Sequence, residues 1–313
     1  MSGLLKRRFA EPVYKVTIDA GFTCPNIDGS KATGGCTYCD NTSFSPALRK
    51  GEPDIARQIE NGAAFYRERY QARKFLAYFQ TYTNTYDDVS RLEKLYTGAL
   101  NYRDIVGMSV GTRPDCIDAE KLRLFQRLAV ERPEQLICIE YGMQTMHDVT
   151  AQRINRAHDH ADTVRAVELT RKLAPDVHLC LHLISGLPGE NASMIRASID
   201  ELARLQPDSI KFHHCYVFEN TVLAREWREG RYEPPSLEMH MELAADCIER
   251  MPPTVAIQRL IGEISAKGVL APMWGKSKMQ VVQMISDELK RRGTHQGSRY
   301  KPRADWSGAI SAR

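Results

Sequence analysis

The alternation of short apolar runs with longer amphipathic stretches constrains this chain more than any other feature. Runs at 14–20, 74–80, 105–110, 136–141, 177–184 and 209–217 read as strands. Between them apolar residues recur at helical spacing, as with Val89, Leu92, Leu95, Tyr96, Ala99 and Leu100, or Leu122, Phe125, Leu128 and Ala129. Six strand-then-helix repeats predict a parallel sheet with helices outside it, either an open doubly wound sheet or a complete or partial barrel. Both architectures place chemistry at the C-terminal ends of the strands. The unusual residues cluster there: 24–39 after the first strand, 81–86 after the second, 112–115 after the third, Gln144 after the fourth and 186–190 after the fifth. After Phe218 the alternation stops. The remainder reads as an α+β extension: a helix near 237–250, a strand near 255–261, a Gly- and Pro-containing connector around 268–275, a helix near 279–292 and a basic tail. The expected division is therefore 1–218 and 219–313.

The chain has 313 residues, 42% of them hydrophobic and 26% charged, so it can bury a large core without disulfide or metal staples. No stretch approaches the roughly 18 consecutive apolar residues of a membrane span. The start, MSGLLKRRFAEP, lacks the apolar core of a signal peptide. The expectation is a cytoplasmic protein with no membrane partner. Eight cysteines are then too dilute for a disulfide scaffold, and their spacing decides between buried small residues and metal ligands.

The segment GFTCPNIDGSKATGGCTYCDNTSFSP holds Cys24, Cys36 and Cys39, separated by eleven and then two residues. Thiolates suit zinc or iron–sulfur clusters, and a Cys-x-x-Cys turn presents two sulfurs to one centre. Three cysteines fall short of the four ligands of a closed zinc site. A cubane cluster held by three would leave one iron open to another ligand, with Tyr38 beside it. A zinc loop completed by a distant His or Cys is the competing reading. Cys116, Cys138, Cys180 and Cys247 lie in apolar contexts and read as buried small side chains.

With these motifs the chain resembles the radical S-adenosylmethionine (SAM) superfamily, in particular the YhcC-type bacterial proteins related to the elongator catalytic subunit and to oxygen-independent coproporphyrinogen oxidase. The first cysteine gap is wider than the superfamily's usual three residues. The resemblance runs from about residue 14 to 225 and implies a partial (β/α)6, TIM-like barrel. It also implies a [4Fe–4S] cluster on Cys24, Cys36 and Cys39, reductive cleavage of SAM to a 5′-deoxyadenosyl radical, and an electron donor such as flavodoxin or ferredoxin. By the same resemblance, Gln80, Thr81 and Thr83 stand where SAM's amino group is received. Gln144 would bind the ribose, Arg156 the carboxylate, and Ile184, Gly186 and Leu187 the adenine. His182 stands where some relatives carry a ribose-binding Asp.

The substrate is read from charge. Residues 276–313 hold nine Lys/Arg against three Asp/Glu, a net +6 in a chain of +4 overall. With the interleaved Tyr300 and Trp306, this tail suits an anionic partner with exposed bases. Together with the elongator resemblance it points to tRNA and modification of a wobble uridine. A small metabolite or tetrapyrrole substrate is the alternative, and a zinc-stabilised RNA-binding protein without catalysis is a third reading. Within the strand ends, Arg113 and Asp115 are candidates for substrate or structural roles, and alternation sends His213 and Cys215 to one face and His214 to the other.

Overall fold

The computed structural model describes residues 2–41, 51–52, 54–262 and 268–302. The apolar runs become strands β1 (Val13–Ile18), β2 (Lys74–Phe79), β3 (Ile105–Thr112), β4 (Leu136–Gln144), β5 (His178–Ser185) and β6 (Ser209–His214). They pair in parallel and in chain order. The crossovers carry helices α2 (Ile55–Tyr70), α3 (Val89–Leu100), α4 (Ala119–Glu131), α5 (Asp148–Arg153), α6 (His160–Leu173) and α7 (Ala192–Leu205), while α1 (Ser2–Phe9) precedes β1. Helix starts are fixed by side chains that satisfy orphan backbone donors, such as Asp54, Asp118 and Asn191 and the Asp159–Asp162 capping box.

Strand alternation separates two interiors. Outward residues Phe75, Ala77, Phe79, Ile137, Ile139, Tyr141, Leu179, Leu181 and Leu183 pack with Leu92, Tyr96, Phe125, Leu128, Ile199 and Leu202 of the surrounding helices in the main core. Inward residues line a lumen. At its N-terminal end Leu76, Leu136, Cys138 and Cys180 close around Leu5 and Phe9 of α1. Arg8 fastens this plug by donating to the Pro133 and Gln135 carbonyls at 2.9 and 2.8 Å.

The stretch beyond residue 218 is woven into the barrel. After a two-residue strand β7 (Val217–Phe218) come α8 (Val222–Arg228), α9 (Leu237–Arg250), β8 (Ala256–Arg259), β9 (Val269–Ala271) and α10 (Lys278–Arg292). Strand β8 adds to β6 as a seventh parallel strand, and β9 pairs antiparallel with β7. The partial barrel thus has seven strands where six repeats were expected: the strand read near 255–261 is β8, four residues long and half-buried, and it joins the barrel sheet instead of a separate extension.

The basic tail does not stand free where it is described. Arg292 pairs with Asp246, Glu249 and Glu288, and Arg299 with Glu249 at 3.1 Å. The Tyr300 hydroxyl accepts from Gln206, and its ring packs on the main core. Gln296 donates to the carbonyls of Pro252 and Val255, ahead of β8, so this segment lies toward the N-terminal end of the sheet. Trp306, Arg303 and Arg313 lie outside the described residues. No described helix is long and apolar enough to cross a membrane.

Candidate active site

A cavity of about 250 Å³ opens at the C-terminal ends of the strands. Cys24, Cys36 and Cys39 line it together with Tyr38, Gln80, Thr83, Gln144, Arg156, His182 and Ile184, which the sequence had scattered over 161 positions. The cysteine loop is shaped by its own turns: Ile27 N–H donates to the Cys24 carbonyl at 2.8 Å, and Cys39 N–H to the Cys36 carbonyl at 3.0 Å. It is also clamped to the segment after α5. Asn155 donates to the carbonyls of Thr33 and Gly35, Asn26 donates to the Asn155 carbonyl, and Thr37 N–H donates to the Ile154 carbonyl. Asn26 and Asn155 were not singled out in the sequence, since their roles depend on a contact 129 residues apart.

The donors around Cys36 suit a thiolate held by a cluster. Asn26 Nδ2 lies 3.5 Å and Arg156 Nη1 3.6 Å from its Sγ, and such contacts tune iron–sulfur centres. Zinc fits the same loop poorly. A tetrahedral ion bound at about 2.3 Å draws its sulfurs to within about 3.8 Å of one another. Among the described residues, the only three His, Cys, Asp or Glu ligand atoms within 4.8 Å of one another belong to Glu140, Cys180 and His182. That trio is no cation seat, because Lys15 and Lys211 already pair with Glu140.

Beside the cysteines, buried polar atoms are left without partners. Thr83 Oγ1, Gln144 Oε1 and Arg156 Nε are all in this state, at the positions where the resemblance expects SAM. Buried polar groups are ordinarily hydrogen-bonded, so three on one cavity wall call for a polar ligand. Gly142 makes this cradle: a Cβ there would sit 2.5 Å from Gln144 Nε2 and 2.7 Å from Arg156 Nη2. Arg156 also donates through Nη2 to the Gly142 carbonyl at 2.7 Å. The residues present therefore fit a three-cysteine cluster and a polar cofactor beside it.

Three further positions expected around SAM do not line the cavity. Thr81 donates to Asp19 Oδ1 at 3.1 Å, beside the start of the cysteine loop. Leu187 is buried with Ile154, Leu223 and Tyr232. Gly186 is required by the chain rather than by a ligand in this arrangement, because a Cβ would meet Pro235 at 2.6 Å.

Arg113 and Asp115 act as a brace. Arg113 holds Asp115 through Nε and Nη2, both at 2.9 Å, and donates to the carbonyls of Arg156 and Ala157. Lys31 of the cysteine loop closes on the same carboxylate. Burial would raise the Asp115 carboxyl, but Arg113 and Lys31 outweigh it and hold it at about 2. One ion-pair cluster therefore positions both the cysteine loop and the Arg156 loop.

Below the cavity Glu140 is fully buried at the centre of the lumen. It accepts from Lys15 at 3.1 Å, Tyr78 at 3.1 Å and His182 at 2.9 Å, and from Ser109 and Lys211. One carboxylate on β4 thus ties together β1, β2, β3, β5 and β6. A lysine inside an otherwise apolar strand, as with Lys15 and Lys211, was the available sequence signal for this network. Elsewhere, burial pushes the thiols of Cys116 and Cys180 up to about 12, in keeping with packed small side chains.

Comparison with known proteins bears directly on this cavity. The Radical SAM superfamily description matches residues 28–202, more than half the chain, and that of the Radical_SAM C-terminal domain matches 207–291. The chain belongs to the radical SAM superfamily. It is 34% identical over 296 residues to protein YhcC of Escherichia coli K12, covering 95% of this chain and 93% of that protein. A tRNA uridine(34) acetyltransferase of Methanocaldococcus jannaschii is 25% identical over 191 residues, 60% of this chain and 33% of that protein. Among solved structures, Elp3 of Methanocaldococcus infernus superposes with a TM-score of 0.65 at 18% identity, covering 91% of this chain and 64% of that one. At that identity the likeness concerns the fold. Enzymes of this superfamily use a [4Fe–4S] cluster with SAM as co-substrate, and this chain is a radical SAM enzyme.

Proposed function

We propose that this enzyme acts in the cytoplasm on tRNA, at a wobble uridine, with Cys24, Cys36 and Cys39 as cluster ligands. One-electron cleavage of SAM and abstraction of a hydrogen atom are the chemistry that a [4Fe–4S] cluster and SAM supply when bound. Thr83, Gln144 and Arg156 orient the polar ends of SAM, and Ile184 contributes an apolar surface beside them. Asn26 and Arg156 stabilise the Cys36 sulfur. A flavodoxin or ferredoxin provides the electron.

The observation that carries the RNA reading is the positive charge at the cavity mouth. Arg259 lines the cavity from β8. Burial and the Arg259 charge together lower the Lys278 ammonium, so these two cations share one stretch of surface. Exposed Lys276 lies two residues before Lys278, just ahead of α10, and Trp274 lies 4.1 Å, centroid to centroid, from His214 on the cavity wall. Phosphates and an unstacked base meet complementary chemistry there. The acetyltransferase relative, whose name specifies uridine 34 of tRNA, supports the same substrate class, although the shared stretch is a third of that protein.

The test is retention of bulk tRNA by anaerobic, cluster-loaded protein across a salt series. Expected is salt-sensitive binding that Lys276→Glu with Lys278→Glu weakens strongly and truncation after residue 302 weakens little. Retention indifferent to salt and to both lysines would overturn the reading, as would an unchanged tRNA nucleoside profile in a deletion strain.

A further inference from the structure

The lumen wall made by β5 and β6 presents two imidazoles to the cavity. His182 pairs in register with Lys211, and Ile184 with His213, so both rings project from neighbouring strands on the lumen side. His182 Nε2 lies 2.9 Å from Glu140 Oε2. Although Glu140 is fully buried, Lys15 and Lys211 keep it ionised by holding its carboxyl well below the usual range. A carboxylate can only accept, so the ring proton sits on Nε2 and Nδ1 keeps a bare lone pair. His213 is locked the opposite way round. Its Nδ1 lies 3.1 Å from the His214 carbonyl, which also only accepts, so the proton sits on Nδ1 and Nε2 is bare. Neither bare nitrogen has a hydrogen-bond partner among the described residues, and both residues line the cavity.

Both rings are neutral at physiological pH. Burial and the Lys211 charge push His182 down to about 4, and burial and the Arg259 charge push His213 to about 3. The same positive charges make the wall hostile to a metal ion or an ammonium group. A ligand that offers a proton without carrying positive charge suits two such acceptors.

We propose that His182 Nδ1 and His213 Nε2 form a substrate subsite that accepts hydrogen bonds from an uncharged N–H or O–H donor. Its identity rests on the uridine reading above, under which the donor is the imide N–H of the uracil ring. His182 then reads the substrate rather than the SAM ribose.

The experiment is anaerobic equilibrium dialysis of cluster-loaded, SAM-saturated protein against uridine and against 3-methyluridine, which lacks the imide proton. Uridine should bind about tenfold more tightly, the worth of one well-made hydrogen bond. The single imide proton is shared between the two nitrogens, so His182→Ala and His213→Ala should each erase part of that preference and the double variant nearly all of it. His182→Asn places an amide atom at the Nδ1 position and His213→Gln at the Nε2 position, so these variants should keep more of it. SAM affinity should stay within about twofold in all four single variants, far from a tenfold loss. Equal affinity for the two nucleosides, no uridine binding, or a loss of SAM affinity that tracks the loss of preference would overturn the inference. Retention of tRNA by the same preparations reports separately on the function. Retention without imide discrimination removes the subsite and keeps the tRNA reading; discrimination without retention does the reverse.

Discussion

The two ends of the barrel lumen are built from the same strands, yet they are opposite in chemistry. At the N-terminal end Leu5 and Phe9 fill the space against Leu76, Leu136, Cys138 and Cys180. At the C-terminal end Thr83, Gln144 and Arg156 face a cavity with polar atoms unsatisfied. Between them Glu140 collects the charges of Lys15 and Lys211. Stability is concentrated where apolar surface is buried, and function where hydrogen-bonding capacity is left open. Substitutions at the two ends should therefore separate SAM cleavage from folding.

Cys36→Ala should have the largest effect on cleavage. As one of the three proposed cluster ligands, its loss should take 5′-deoxyadenosine release to background while the circular dichroism spectrum stays that of the native protein; retained release would remove Cys36 from the proposed set. Arg156→Lys comes next. A point charge cannot contact both the Cys36 sulfur and the Gly142 carbonyl as the planar fork does, so activity should fall by about 10–100-fold in initial-rate assays. Leu5→Ala at the plugged end should leave SAM affinity unchanged, and denaturant unfolding should show a loss of about 2–5 kcal/mol. A matching fall in SAM affinity would mean that the two ends are not separable.

The smallest effect concerns pH. Asp115 has a folded pKa of about 2 against 3.8 for the free group, so its contribution is present above about pH 4 and lost as pH falls through 2. From that shift the contribution is about 2 kcal/mol. Asp115→Asn should flatten this part of the stability curve between pH 4 and 2 and should loosen the cysteine loop through Lys31. An unaltered curve would show that the brace does not hold the loop.

What could be read from the chain follows from sequence distance. Cys24, Cys36 and Cys39 announce themselves because their spacing lies within one loop, and the strand-and-helix alternation is a local pattern repeated six times. Gln144 and Arg156 were legible only through the family resemblance, and the structure brings both to the cavity. A paired core carboxylate was one reading of Glu140, but its partners could not be named because they come from five other strands. Hidden too was the reason for Gly186, which is set by Pro235 some fifty residues later. Positive charge was legible only in part. Within the basic stretch counted from residue 276, Arg292 and Arg299 serve Asp246 and Glu249 inside the fold, while Lys276 and Lys278 at its start stay on the surface; Arg259, which lines the cavity, lies outside that stretch. Strand β8, read in the sequence near 255–261 but as part of an extension, carries Arg259 to that position by pairing with β6.

Metal and sulfide analysis of anaerobically purified protein, followed by reduction in the presence of SAM, tests the central claim most directly. The account predicts iron and sulfide in the ratio of one [4Fe–4S] cluster per chain, together with release of 5′-deoxyadenosine that disappears in Cys36→Ala. Colourless protein with one zinc per chain and no SAM cleavage would contradict it.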